Sequence, residues 1–191
     1  MIVATKERNV LFDGFPLTES LYLSDVRPLI RQVILRYGMS EWRAAVLTNE
    51  LHGHLGIYAL LGVKMGILAL EQFGAGEQEL HVLSYAGSQP PLSCLNDGLQ
   101  VATGATLGHG TISIAAQEHP TPSARFTKGE RSVHIALKES VAERISSDIA
   151  HGREKHGTRH PSYWEYVRHL ALDYWLLFDR HEIFEVKAFG N

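Results

Sequence analysis

Apolar residues recur at helical spacing after Ser24, where Val26, Leu29, Ile30, Val33 and Ile34 fall on one stripe that stops at Gly38. A 3.6-residue period behind a capping serine predicts an amphipathic helix. A second helix is expected from Ser40 to about Leu51, carrying Trp42, Ala45, Val46 and Thr48. Between about Gly56 and Gln72 the pattern changes, because the apolar run from Leu55 to Leu70 is interrupted only by Lys64. That run is shorter than the roughly 20 residues a bilayer demands, so it predicts a buried helix rather than a membrane span. Gly62 and Gly66 lie one turn apart on it, where missing side chains admit another backbone.

Strand signals follow, at Glu79–Ala86, Thr111–Ala116, Ala124–Thr127 and Ser132–Leu137, with a short strand or arm expected earlier in "NVLFDGF". A fourth helix starts at Ser93 or Cys94, with Leu95, Leu99 and Ala102 on one side and Cys94, Asp97 and Val101 on another, and Gly104 stops it. A fifth covers Glu139 to His151, followed by "HGREKHGTRHP", which reads as a charged linker. Ser162 with Glu165 reads as a capping box for a last helix, and "EIFEVKAF" as an edge strand. The expected fold is α+β, a mixed or antiparallel sheet packed against helices. Residues 1–150 form the core domain, and 151–191 supply a linker, helix and edge strand packed upon it.

Composition narrows the function classes. The chain has 191 residues, 45% hydrophobic and 20% charged, as expected of a packed domain. A net charge of −3 with dispersed Lys and Arg argues against nucleic acid, which needs a clustered basic face. One cysteine, Cys94, excludes an intramolecular disulfide and any four-cysteine zinc module. The N-terminus lacks the layout of a signal peptide, so a cytoplasmic location is expected.

The candidate chemistry centres on "LHGHLG". Residues two apart on a regular helix point about 200° away from each other, so His52 and His54 converge only at a helix junction, which Gly53 permits. Two imidazoles and the Cys94 thiolate form a ligand set suited to zinc or another transition metal, with an open position. The helix start is expected to depress the Cys94 pKa, and Asp97, one turn on, to orient a ligand or accept a proton. Equally compatible with the local sequence are a chance His-x-His and a small buried cysteine. His151, His156 and His160 are expected in solvated linker, and the aromatics Tyr163, Trp164, Tyr166, Tyr174, Trp175 and Phe178 in core or a dimer surface.

Together "LHGHLGIYALLGVKMG" and "CLNDGLQVATGATLGHG", separated by a strand, resemble the FmdE family, named for one component of molybdenum or tungsten formylmethanofuran dehydrogenase. The resemblance implies an α+β core, homodimers, dehydrogenase complex partners, and a link to one-carbon metabolism and methanogenesis, without a settled reaction for this component. It favours metal held by His52, His54 and Cys94, and adds Asp97, Gln100, Thr103, Gly104, Thr106, Gly108 and Gly110 as lining of a shared site. Where the family pattern has cysteines, this chain has Gly56 and Ala105, and His109 stands where a lysine is common. The cysteine-rich C-terminal zinc finger of many relatives is not expected, since Cys94 is the one cysteine of this sequence. Two alternatives accompany this expectation: a metal-free enzyme with Cys94 as nucleophile, and a noncatalytic assembly or binding module.

Overall fold

The computed structural model describes residues 10–189. Three helices, α1 (Arg27–Tyr37), α2 (Met39–His52) and α3 (Ile57–Phe73), precede the first strand, β1 (His81–Ser84). A 3-10 turn, Leu92–Cys94, leads into α4 (Leu95–Thr103), and β2 (Ile112–Ile114), β3 (Ser123–Lys128) and β4 (Arg131–Leu137) follow. The chain closes with α5 (Glu139–His156), α6 (Pro161–Leu177), the short α7 (Arg180–Ile183) and β5 (Phe184–Phe189).

The strands form one mixed sheet in the order β2-β1-β3-β4-β5. β1 and β2 are parallel, with Val82 beside Ile112, and the other neighbours are antiparallel. Parallel neighbours need a crossover, and α4 supplies it. That path fixes the N-terminal end of α4, with Cys94 and Asp97, beyond the carboxyl end of β1. The fold is therefore α+β, with helices joined to a single sheet, as the sequence predicts.

α3 is the centre of the molecule. All of its residues except Tyr58, Glu71 and Gln72 are buried, which the uninterrupted apolar run requires. It touches α4 backbone to backbone: a β-carbon on Gly62 would lie 2.1 Å from the Leu95 carbonyl oxygen, and one on Gly66 2.7 Å from the Ala102 β-carbon. The exposed β5 is an edge strand of the same sheet, paired from Phe184 to Leu137 through Phe189 to Ser132.

Several boundaries differ from the sequence pattern for local reasons. α1 starts at Arg27 with Val26 at its N-cap, not at Ser24, because Pro28 suits the first turn of a helix and needs no capped donor. "NVLFDGF" forms no strand over residues 10–15, and Asn9 lies outside the described residues. α5 continues through the expected linker to His156, across the 150/151 boundary; Gly152 does not break it, because the Tyr166 ring lies where its side chain would be, 2.4 Å from an ideal β-carbon. The Ser162–Glu165 capping box is not formed. Pro161 opens α6, His160 is the N-cap, and its Nδ1 accepts from the Ser162 backbone N–H at 3.2 Å.

Candidate functional site

α2 ends on His52, and Gly53 adopts φ 79°, ψ 0°, a left-handed conformation that glycine enters without a side-chain clash. The turn is held by Asn49: its Oδ1 accepts from the Gly56 N–H at 2.9 Å while its amide donates to the Ala45 carbonyl at 2.7 Å. The result brings two rings of opposite helical phase together, with the His52 and His54 centroids 4.3 Å apart.

His52 is also fixed from the other side. Its Nδ1 lies 2.7 Å from Asp97 Oδ2, and the side chain is only 11% exposed. An ionised carboxylate accepts only, so this contact places the ring proton on Nδ1 and leaves Nε2 with a free lone pair. Nε2 is buried and has no hydrogen-bond partner. Gly56 passes beside that nitrogen; a β-carbon there would sit 3.1 Å from it, and the cysteine of the family pattern would bring sulfur to the same atom.

His52, His54 and Cys94 line one cavity of about 300 Å³, closed by Pro90 and Pro91 from the loop after β1 and by Arg153 and Trp164 from α5 and α6. Burial lowers the His54 pKa and the neighbouring His52 lowers it further, so its imidazole is neutral at pH 7. Burial pushes the Cys94 thiol up, and Asp97 adds to the rise. This reverses the expected depression: Cys94 ends a 3-10 turn, and desolvation with a neighbouring carboxylate outweighs the partial charge of a helix end. Tyr58, on the cavity wall, is likewise held protonated by burial.

The structure thus puts His52, His54 and Cys94 on one cavity and Asp97 behind His52. Among the described residues, no three His, Cys, Asp or Glu side chains are already gathered closely enough to hold a metal. The Thr-Gly positions do not share the cavity. Thr103 is nine residues along α4 from Cys94, about 13 Å at 1.5 Å per residue, and these side chains organise the helix exit: Thr103 Oγ1 donates to the Leu99 carbonyl, and the Leu107 N–H donates to Gln100 Oε1. Gly104 caps the helix at φ 70°. His156 and His160 flank Ser162 Oγ through their Nδ1 atoms at the α5–α6 corner instead of lying in open linker.

Trp164 and Arg153 are the cavity residues that sequence patterning missed. Tyr163, Tyr174, Trp175 and Phe178 are buried, but Trp164 is 56% exposed and edges toward His54 at 6.2 Å. One signal was legible: Trp164 sits at the first turn of α6 beside buried Tyr163, so only one of the pair can face the core.

An α+β domain whose crossover helix turns a carboxylate onto the histidine ending the preceding helical hairpin defines the class. The chain belongs to the FmdE family, whose model, described as "FmdE, Molybdenum formylmethanofuran dehydrogenase operon", matches residues 51–185. It is 35% identical over 75 residues to a "Probable S-adenosyl-L-methionine-binding protein" of Archaeoglobus fulgidus, an alignment covering 37% of this chain and 20% of that relative. A solved structure, the FmdE-like protein of tungsten formylmethanofuran dehydrogenase type from Syntrophus aciditrophicus, aligns with a TM-score of 0.45 at 14% identity, over 90% of this chain and 74% of that one. Among the described residues no helix is long and apolar enough to cross a membrane.

Proposed function

We propose that the cavity is a transition-metal site with His52 as its anchor, His54 as second donor and Cys94 as third. The observation that carries this is the His52 ring itself: Nδ1 tied to Asp97, Nε2 buried, unpaired and facing the cavity side of Gly56. A metal-ligating histidine characteristically donates its other ring N–H to a carboxylate, which orients it and raises its basicity. The donor set fits a borderline ion such as zinc, which when bound supplies Lewis acidity and an activated water. Asp97 fixes the tautomer of His52, His54 is already neutral, and the Pro90–Pro91 and Trp164 walls restrict water. Homodimer formation, assembly with dehydrogenase partners and a role in one-carbon metabolism belong to the same proposal, supported by family membership.

The protonation states make the test specific. Cys94 carries a proton in the free protein and must lose it to become a ligand. Binding of Zn²⁺ to chelator-treated protein, followed calorimetrically in buffers of different ionisation enthalpy, is expected to release about one proton near pH 7, with affinity rising about tenfold per pH unit. Cys94→Ser removes both the release and the steep dependence, and His52→Ala removes binding. Full-strength binding by His52→Ala would sink the proposal. Asp97→Asn keeps the shape but loses the charge behind Nδ1, and is expected to weaken Zn²⁺ about 10- to 100-fold without unfolding the chain.

A metal-free reading also has an observation in its favour, because an Asp–His pair beside a thiol is a base–nucleophile arrangement. It requires an activated thiol, and the elevated Cys94 pKa opposes that. Alkylation of Cys94 by iodoacetamide is expected to be slow at pH 7 and to accelerate above the ordinary thiol range near 8.5. Rapid reaction at neutral pH would reverse the preference.

A further inference from the structure

The cavity beside His52 is one chamber of a longer groove. A second, larger cavity of about 680 Å³ shares His54, Trp164 and Val167 with it and extends to Arg159, Arg168 and Glu165. Trp164 therefore stands between the chambers, its indole more than half exposed, while the other two tryptophans, Trp42 and Trp175, are stacked on each other in the core. An exposed indole forming a groove wall is a stacking platform for a planar group.

Charge defines the rest of the occupant. Arg153 lines the inner chamber and Arg159 the outer, and neither has an ion-pair or hydrogen-bonding partner for its guanidinium among the described residues. Arg168, by contrast, is held by Asp25 through two hydrogen bonds of 2.6 and 3.0 Å, so its charge is already met. Glu165 is the lining carboxylate, in the outer chamber, and Asp97 is engaged behind His52. The groove thus presents two uncompensated guanidinium groups in a chain whose net charge is −3. A locally positive groove on a negative surface selects anions and repels cations.

We infer that the natural ligand of this groove is a small organic anion with a planar ring system, the ring lying on Trp164 and the acidic group on Arg159 or Arg153, so that its head reaches His52 and His54. The inference rests on the inner chamber being the reacting end and adds the class of molecule delivered there. Guanidinium recognises carboxylate, sulfonate and phosphate alike through paired N–H donors, and these shared geometries are the specificity.

The probe is anilinonaphthalene sulfonate, a planar anion, compared with phenylnaphthylamine, the same ring system without the sulfonate. Dye emission and quenching of tryptophan fluorescence are read on the full chain. The anion is expected to bind at least about fivefold more tightly than the neutral dye; Arg153→Ala and Arg159→Ala each lower its affinity about threefold to tenfold, and the pair more, while leaving phenylnaphthylamine unchanged. Trp164→Ala weakens both dyes and abolishes the quenching. These are exposed positions, and circular dichroism checks that the variants remain folded. Equal affinity for the two dyes, or arginine variants that bind the anion as wild type does, overturns the inference. Failure of the metal proposal shows separately: anion binding persists in His52→Ala and after chelation, whereas Zn²⁺ binding persists in the arginine variants.

Discussion

Gly98→Ala is expected to cost about 3 kcal/mol or more, at the upper end of overpacking in a core. The added methyl would lie 2.1 Å from the Ala59 carbonyl oxygen, 2.5 Å from the Val63 nitrogen and 2.7 Å from the Gly62 carbonyl carbon. All three are backbone atoms of a buried helix, so no rotamer change relieves the contact; α3 and α4 must move apart. Their separation would undo the burial of Leu95 and Leu99, each fully buried, and carry Asp97 away from His52. A domain commonly has only about 5–15 kcal/mol in total, so a large fraction of stability is at stake. Urea melts read the cost. Gly53→Ala is the control: open space surrounds it, and only its φ of 79° is unfavourable, so a smaller loss of about 1 kcal/mol is expected. A Gly98→Ala chain as stable as wild type would mean that the helices are not in backbone contact.

The same contact explains how far the sequence foretold the site. The glycines four apart in α3 announced a close approach, the His-Gly-His announced a helix junction, and the side of α4 bearing Asp97 was distinct from its apolar side. These are local signals, written in spacing and in glycine's freedom. Pairing of Asp97 with His52, 45 residues apart, needed the α3–α4 crossing to bring the two together. The C-terminal contribution was illegible for a different reason. Residues 151–156 are polar and glycine-containing, which resembles linker, yet they form the exposed end of α5, and Gly152 is the seat of the Tyr166 ring. Only that packing brings Arg153 and Trp164 to a cavity formed a hundred residues earlier. The direction of the Cys94 shift was equally hidden, because helix position is visible in sequence and desolvation is not.

The other large effect lies below the groove, where Lys64 interrupts the apolar run of α3. Its ammonium is buried and donates to Glu41 Oε1 at 2.6 Å, with the Tyr37 ring centroid 3.8 Å from Nζ. Arg180 reaches Glu41 Oε2 at 3.1 Å and is in turn paired with Glu71. Burial opposes both charges, raising the Glu41 pKa and lowering that of Lys64, and the mutual contact restores them. Glu41→Gln leaves the ammonium without a counter-charge and with Arg180 nearby, and is expected to cost about 3–5 kcal/mol near pH 7. Lys64→Met is expected to cost less, since Glu41 keeps Arg180 and a thioether chain fills the ammonium's apolar surroundings. The double variant is expected to recover much of the Glu41→Gln loss, which a double-mutant cycle measures. The pH dependence has a definite sign. With its folded pKa depressed, Lys64 binds fewer protons in the native chain than in the unfolded one. Stability of Glu41→Gln therefore rises with pH from the lowered value toward the unfolded value of about 10.4, where the penalty for a buried ammonium vanishes. A deficit that grows as pH increases over that range would show that the lysine is not the group left unpaired.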